Sequence, residues 1–304
     1  MKRAALRLLM ALAGAAQAQP APPTESVTVT GARSRQVLDQ FVQSFAAPTR
    51  MTGKLARWED GVCPVTVGLK PVFAKFIGAR VKAVGGQAGA PVNERADCKP
   101  NIEIVFTTSP QGLLDNVRKK QDAFLGYADS DAQRDALAKV IRPIQAWYLT
   151  ASRDLRGNML VDSAKALPAE ITLPDPYHNP PFITVFTKQG AVSVTGSRLG
   201  DGMRSSLYHV IIVADPAQLK NYEIGSLADY IALLALSQVS GLDTCQALPS
   251  IVNMLAPGCT QVTRALTAND LGYLRGLYAM GPGGNLRGQE DAIAFAMQRQ
   301  LDGR

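Results

Sequence analysis

Apolar positions along the chain follow two periods, one helical and one alternating, and the two are mixed through most of its length. From Ser34, the residues Val37, Leu38, Phe41, Val42 and Phe45 fall on one stripe at helical spacing, which breaks near Pro48. Val65, Val67 and Leu69 alternate as a strand. Pro71 then opens a second helix bearing Val72, Phe73, Phe76, Ile77, Val81 and Val84, and Gly85-Gly86 predicts its stop. A strand over Asn101 to Thr107 puts Ile102, Ile104 and Phe106 on one face, with Glu103 and Val105 on the other. Ser109-Pro110 fits the cap and first turn of a helix carrying Leu113, Leu114 and Val117. A shorter helix is predicted from Ser130 to Ile141, and a strand from Ile144 to Leu149.

The pattern changes character in the middle of the chain. Between Leu155 and Arg204 prolines interrupt it, and only Phe182 to Thr187 and Ala191 to Thr195 read as strands, joined at Gln189-Gly190 as a hairpin. Tyr208 to Ala214 is a β-prone run ended by Asp215-Pro216. From Ile224 to Val239 apolar residues cover most of a helix circumference, which predicts a helix buried on several sides. A helix over Thr267 to Met280 and a last amphipathic helix with Ile293, Met297 and Leu301 follow. The fold class is therefore α+β: a mixed sheet packed on helices, with a buried central helix in the C-terminal half.

The N-terminus adds a targeting reading. Lys2, Arg3 and Arg7 precede an apolar stretch from Leu8 to Ala16, and Ala16-Gln17-Ala18 is a small-x-small cleavage site. This order predicts a cleaved signal peptide over residues 1–18, an extended leader over 19–33, a globular domain over 34–281 and a C-terminal helical tail over 282–304. Loss of Lys2, Arg3 and Arg7 with the signal lowers the formal charge from +7 to +4. Such a mild excess, with Arg118-Lys119-Lys120 as its densest cluster, reads as a solvated helix face and argues against nucleic acid as a partner. No later apolar stretch reaches the roughly 20 residues of a membrane helix. The chain is thus expected in the periplasm or secreted.

Export changes the meaning of the four cysteines, Cys63, Cys98, Cys245 and Cys259. An even number in an oxidising compartment predicts two disulfides. Of the three possible pairings, Cys63 with Cys98 and Cys245 with Cys259 keeps each bridge local. Closing the shorter loop is worth about 3 kcal/mol on the chain-entropy model. Zinc ligation by these cysteines lacks the usual C-x2-C pairs.

Candidate chemistry is reached by elimination. The two histidines, His178 and His209, sit in no H-E-x-x-H pattern, and no nucleophile elbow, phosphate loop or dinucleotide fingerprint occurs. The carboxylate pairs Asp129/Asp131 and Glu290/Asp291 occupy helix-start contexts, where acids are favoured electrostatically.

One stretch nevertheless resembles a known family. Leu234-Ala235-Leu236-Ser237-Gln238-Val239-Ser240-Gly241-Leu242 has the register of the zincin active-site helix, which ends H-E-x-x-H before a Gly-Leu exit. Downstream, Leu248-Pro249-Ser250-Ile251-Val252-Asn253 and the segment from Leu266-Thr267-Ala268-Asn269-Asp270-Leu271 to Leu277-Tyr278 are similar to segments of bacterial zincin-like families of unknown function. The resemblance spans residues 205–280 and implies a zincin-like fold. It also implies lost chemistry: Leu234 and Gln238 stand at the zinc histidines, and Ala235 at the catalytic glutamate. Leucine cannot ligate zinc, and alanine cannot take a proton from a metal-bound water. The expectation is a catalytically inactive protein, with no metal and no cofactor, that binds a peptide or an envelope protein. A hydrolase using His178 or His209 with nearby acids is the alternative. A second alternative is an accessory to outer-membrane transport, because Ser26-Val27-Thr28-Val29-Thr30-Gly31 resembles the energy-coupling box of TonB-dependent receptors, although the chain is too short and helical for their barrel.

Overall fold

A computed structural model describes residues 31–163, 170–174, 177, 182–186, 202–281 and 283–302. The signal-peptide stretch, residues 19–30 of the leader, His178 and the segment Ala191 to Thr195 lie outside them. In chain order the elements are α1 (Gly31–Phe45), β1 (Ala56–Arg57), β2 (Pro64–Val67), α2 (Pro71–Ala88), β3 (Ile102–Phe106), α3 (Pro110–Lys120), α4 (Asp131–Leu137), β4 (Ile144–Arg153), β5 (Met159–Val161), β6 (Glu170–Pro174), β7 (Phe182–Phe186), β8 (Arg204–Ala214), α5 (Ile224–Leu236), α6 (Ala268–Ala279) and α7 (Leu286–Leu301).

The fold is α+β, an open mixed sheet packed against helices. Strand order is β2-β3-β8-β4-β5, with β1 pairing the first part of β8. β1, β2, β3 and β8 run parallel, and β4 is antiparallel to β8. β6 and β7 form a separate antiparallel pair, so Phe182 to Phe186 does find a partner, but it is Glu170–Pro174, which the proline-rich pattern concealed.

The alternation along β3 divides the protein into two layers. Ile102, Ile104 and Phe106 join a large apolar core with α1, α2, α5, α6 and α7. Val213, Ile211, Trp147 and Leu149 face a smaller core closed by α3, the 3-10 turn Asp122–Leu125 and α4. All five residues of β3 are buried, as expected of a central strand covered on both faces.

Helix α5 is the centre of the large core, with every residue from Ser226 to Leu236 buried. The apolar run predicts a helix to Val239, yet the helix stops at Leu236 with Ser237 extended. Its last carbonyls lack intrahelical donors and are buried, so they need other partners. Three aromatic side chains supply them: Tyr148 Oη donates to Leu234 O at 2.9 Å, Trp58 Nε1 to Ala235 O at 2.8 Å, and Tyr278 Oη to Leu236 O at 2.7 Å. Burial pushes the Tyr148 and Tyr278 hydroxyls far above the ordinary tyrosine range, which keeps them as donors.

α2 also departs from its predicted end. It runs through Gly85-Gly86 to Ala88 and is terminated by Gly89 at φ 83°. The inner glycine serves packing instead, since a Cβ on Gly85 would lie 3.4 Å from Leu236 Cδ2 and 3.3 Å from Val92 Cγ2. α1 begins at Gly31, three residues before the predicted start, and buries Leu38, Phe41, Val42 and Phe45 as the stripe requires. α7 packs Ile293, Ala294 and Met297 into the same core, while Leu301 is exposed. α6 starts with a complete capping box, Thr267 to Asp270.

Candidate functional site

The cysteines pair as the local arrangement predicts: Cys63 with Cys98 and Cys245 with Cys259 lie at disulfide distance. No helix among the described residues is long and apolar enough to cross a membrane. Both observations are compatible with an extracytoplasmic location.

The three motif positions do not gather around one open cavity. Leu234 and Ala235 are fully buried within α5, and the carbonyls of both are held by Tyr148 and Trp58. Gln238, beyond the helix end, lines a pocket of about 340 Å³. Its side-chain Oε1 is buried with no hydrogen-bond donor. Tyr148 lines the same pocket and donates its hydroxyl to Leu234 O.

One wall of this pocket is β4. β5 pairs only with Ala151, Ser152 and Arg153, so on that side the stretch from Ile144 to Leu149 has no partner strand among the described residues. The carbonyl of Thr150 points outward, where it accepts from Asp162 N at 2.8 Å. By strand parity the backbone of Ala146 and Tyr148 points the same way. Gly126 sits so close to that edge that a Cβ would lie 2.7 Å from Tyr148 O, a contact that only glycine permits at φ 98°. Val239 and Leu242 complete the opposite wall. The cavity is thus a groove along a strand edge that no described strand pairs, lined by apolar and polar groups.

A second cavity, of about 1100 Å³, opens beside the Cys63–Cys98 loop and shares no lining residue with the first. His209 lines it, although the residue is only 3% exposed. Its Nε2 lies 3.1 Å from Oε1 of Glu103, a residue with no exposed surface at all. Neither Glu103 oxygen accepts a well-directed hydrogen bond. Sequence reading placed Glu103 only as the off-face residue of a strand, and His209 at a strand start. The signal available was one acid in an otherwise apolar five-residue run, which is rarely buried without a partner.

The remaining acids are structural. Ser130 caps α4 and Asp131 in its first turn pairs with Arg134, as the helix-start reading requires. Glu290 and Asp291 lie a full turn inside α7, so that reading fails for them. Arg118 reaches Asp135 at 2.8 Å and approaches Asp122 and Asp131, which makes the basic cluster part of a surface charge network. Among the described residues no group of three or more His, Cys, Asp or Glu side chains is placed to hold a metal ion.

No protein-family model matches this chain, and no curated protein or solved structure matches it either.

Proposed function

We propose that this chain is an exported, catalytically inactive zincin-like protein that binds an extended peptide segment of an envelope partner along the edge of β4. The observation carrying the reading is the run Ile144 to Leu149, whose outer side has no partner strand among the described residues, beside the groove that Gln238 lines. Unpaired strand N–H and C=O groups are a template for an added strand, and the pocket beside them supplies selectivity for alternate side chains. The identity of the motif positions removes the chemistry: Leu234 and Ala235 offer no ligand and no base, and both are closed off from the groove. A peptide would therefore be held and not cleaved.

The test joins metal analysis to peptide selection. Purified protein is expected to contain no stoichiometric zinc and to enrich peptides from a random displayed library. Ala146→Pro, which removes one edge N–H and leaves the β8 side of β4 intact, is expected to abolish that binding with the circular dichroism spectrum unchanged. Stoichiometric zinc with chelator-sensitive peptidase activity would sink the reading, as would peptide binding indifferent to the proline.

A further inference from the structure

Most polar side chains that line the groove along β4 already have partners within the protein. Thr49 is bonded to Thr52 and Ser205, Gln145 to Ile141 N and Lys139 O, Trp147 to Leu137 O, and Tyr148 to Leu234 O. Tyr127 is held by Asp129 and Thr150 by Asp162, while Arg142 is paired with Asp243. Three lining side chains remain. Gln238 Oε1 is buried without a donor, and the exposed Arg50 and Lys139 make no ion pair or side-chain hydrogen bond with any described residue. No carboxylate is among the described residues that line the groove. The groove therefore holds an acceptor without a donor and two cations without a counter-charge.

The two cations stand at opposite ends of the groove and on opposite walls. Arg50 follows Thr49, whose hydroxyl bonds Ser205, the partner of Ser152 near the end of β4. By strand alternation Ser152 lies on the side where Ala146 and Tyr148 pack against the larger core. Lys139 marks the start of β4, since its carbonyl accepts from Gln145 Nε2 at 3.0 Å, and its neighbours Leu137 and Val140 pack on the smaller core. We infer that the peptide held at this edge is acidic, with two carboxylates an odd number of residues apart, one for Arg50 and one for Lys139. The inference rests on the reading of the β4 edge as a peptide site. An added strand sends alternate side chains to opposite faces, so only an odd spacing delivers one acid to each wall. The levels of Gln145 and Thr150 are separated by about 17 Å at roughly 3.3 Å per residue, which a spacing of about five spans, and one of about three spans with the long Arg and Lys stems. A peptide also carries the backbone N–H that Gln238 Oε1 lacks, which a free dicarboxylate does not.

The probes are labelled Thr- and Ser-rich peptides that carry two glutamates three, four or five residues apart, with the glutamine version as the neutral parent, and binding is read by fluorescence anisotropy. Spacings of three and five are expected to bind roughly tenfold more tightly than the parent, two exposed charge contacts of about threefold each. A spacing of four puts both acids on one face and is expected to gain only about threefold. Raised salt is expected to erase both gains. Arg50→Gln and Lys139→Gln are each expected to weaken the doubly acidic peptides by about threefold and to leave the parent unchanged, and circular dichroism checks that these exposed positions leave the fold intact. If the parent binds as tightly as the acidic peptides, and Ala146→Pro abolishes that binding, the edge site stands and the acidic preference falls. If a spacing of four matches three and five, the two-wall arrangement falls. If no peptide binds in any form, the edge site itself fails and takes this inference with it.

Discussion

The two faces of the central sheet bury their polar groups in opposite ways. On the large face, the one acid of α5, Asp229, is met by Arg80 and also accepts from Leu266 N at 2.9 Å. Asp270 on α6 accepts from Ile251 N, Thr267 N and the Ser250 hydroxyl. On the small face, Glu103 is the buried carboxylate that no donor addresses, and His209 beside it lines a cavity. A core that only has to hold together leaves no carboxylate in that condition, because an unmet buried polar group costs more than its removal. The large face is therefore built for stability, and the small face carries the feature that needs a functional account.

The largest expected effect falls on the large face. Leu234→Ala empties a site with no exposed surface in the middle of α5, and is expected to cost about 3–5 kcal/mol in denaturant unfolding. A loss below about 1 kcal/mol would mean that α5 is not the centre of the core. Next comes the small face, where the prediction has two signs. His209→Leu alone strands the Glu103 carboxylate and is expected to destabilise by about 3 kcal/mol. The double variant Glu103→Met with His209→Leu removes both polar groups, and is expected to be neutral or more stable than wild type by about 1–2 kcal/mol. If the double variant is less stable than His209→Leu, the pair holds the fold together and the contrast between the faces disappears.

How much of this was legible in the sequence depends on the face. The large face could be read directly: the stripe Leu38-Phe41-Val42-Phe45 and the apolar run from Ile224 announce buried helices, since periodicity reports burial. Local cysteine pairing was equally readable, because short loops favour it. The ends of α5 and α2 were not. Gly85-Gly86 signals a stop by propensity, but close packing on Leu236 recruits the first glycine into a helix interior. The stop of α5 is set by donors from Tyr148, Trp58 and Tyr278, residues 42 to 177 positions away in the chain. The meeting of Glu103 with His209 was likewise out of reach. It depends on β3 pairing with β8 across more than a hundred residues and on a bulge at Tyr208.

The smallest expected effect concerns a satisfied acid on the opposite side of the sheet from Glu103, since Thr150 and Ser152 alternate with Trp147 and Leu149, which face the smaller core. Asp162 sits just past β5 and accepts from the Thr150 hydroxyl at 2.6 Å and from the Ser152 hydroxyl at 2.7 Å. Burial raises its carboxyl above the ordinary value of 3.8, and the two hydroxyls offset this only in part. The folded chain therefore holds the Asp162 proton at pH values where the unfolded chain has released it. That contribution to stability is fully present below the unfolded value and is lost as pH rises through the raised folded value. Asp162→Asn mimics the protonated acid at every pH, so its stability relative to wild type is expected to increase as pH climbs from just above 3.8 towards neutral. Urea unfolding of both proteins across that window reads the difference. A difference that stays flat, or that falls with rising pH, would show that hydrogen bonds and not desolvation dominate at Asp162.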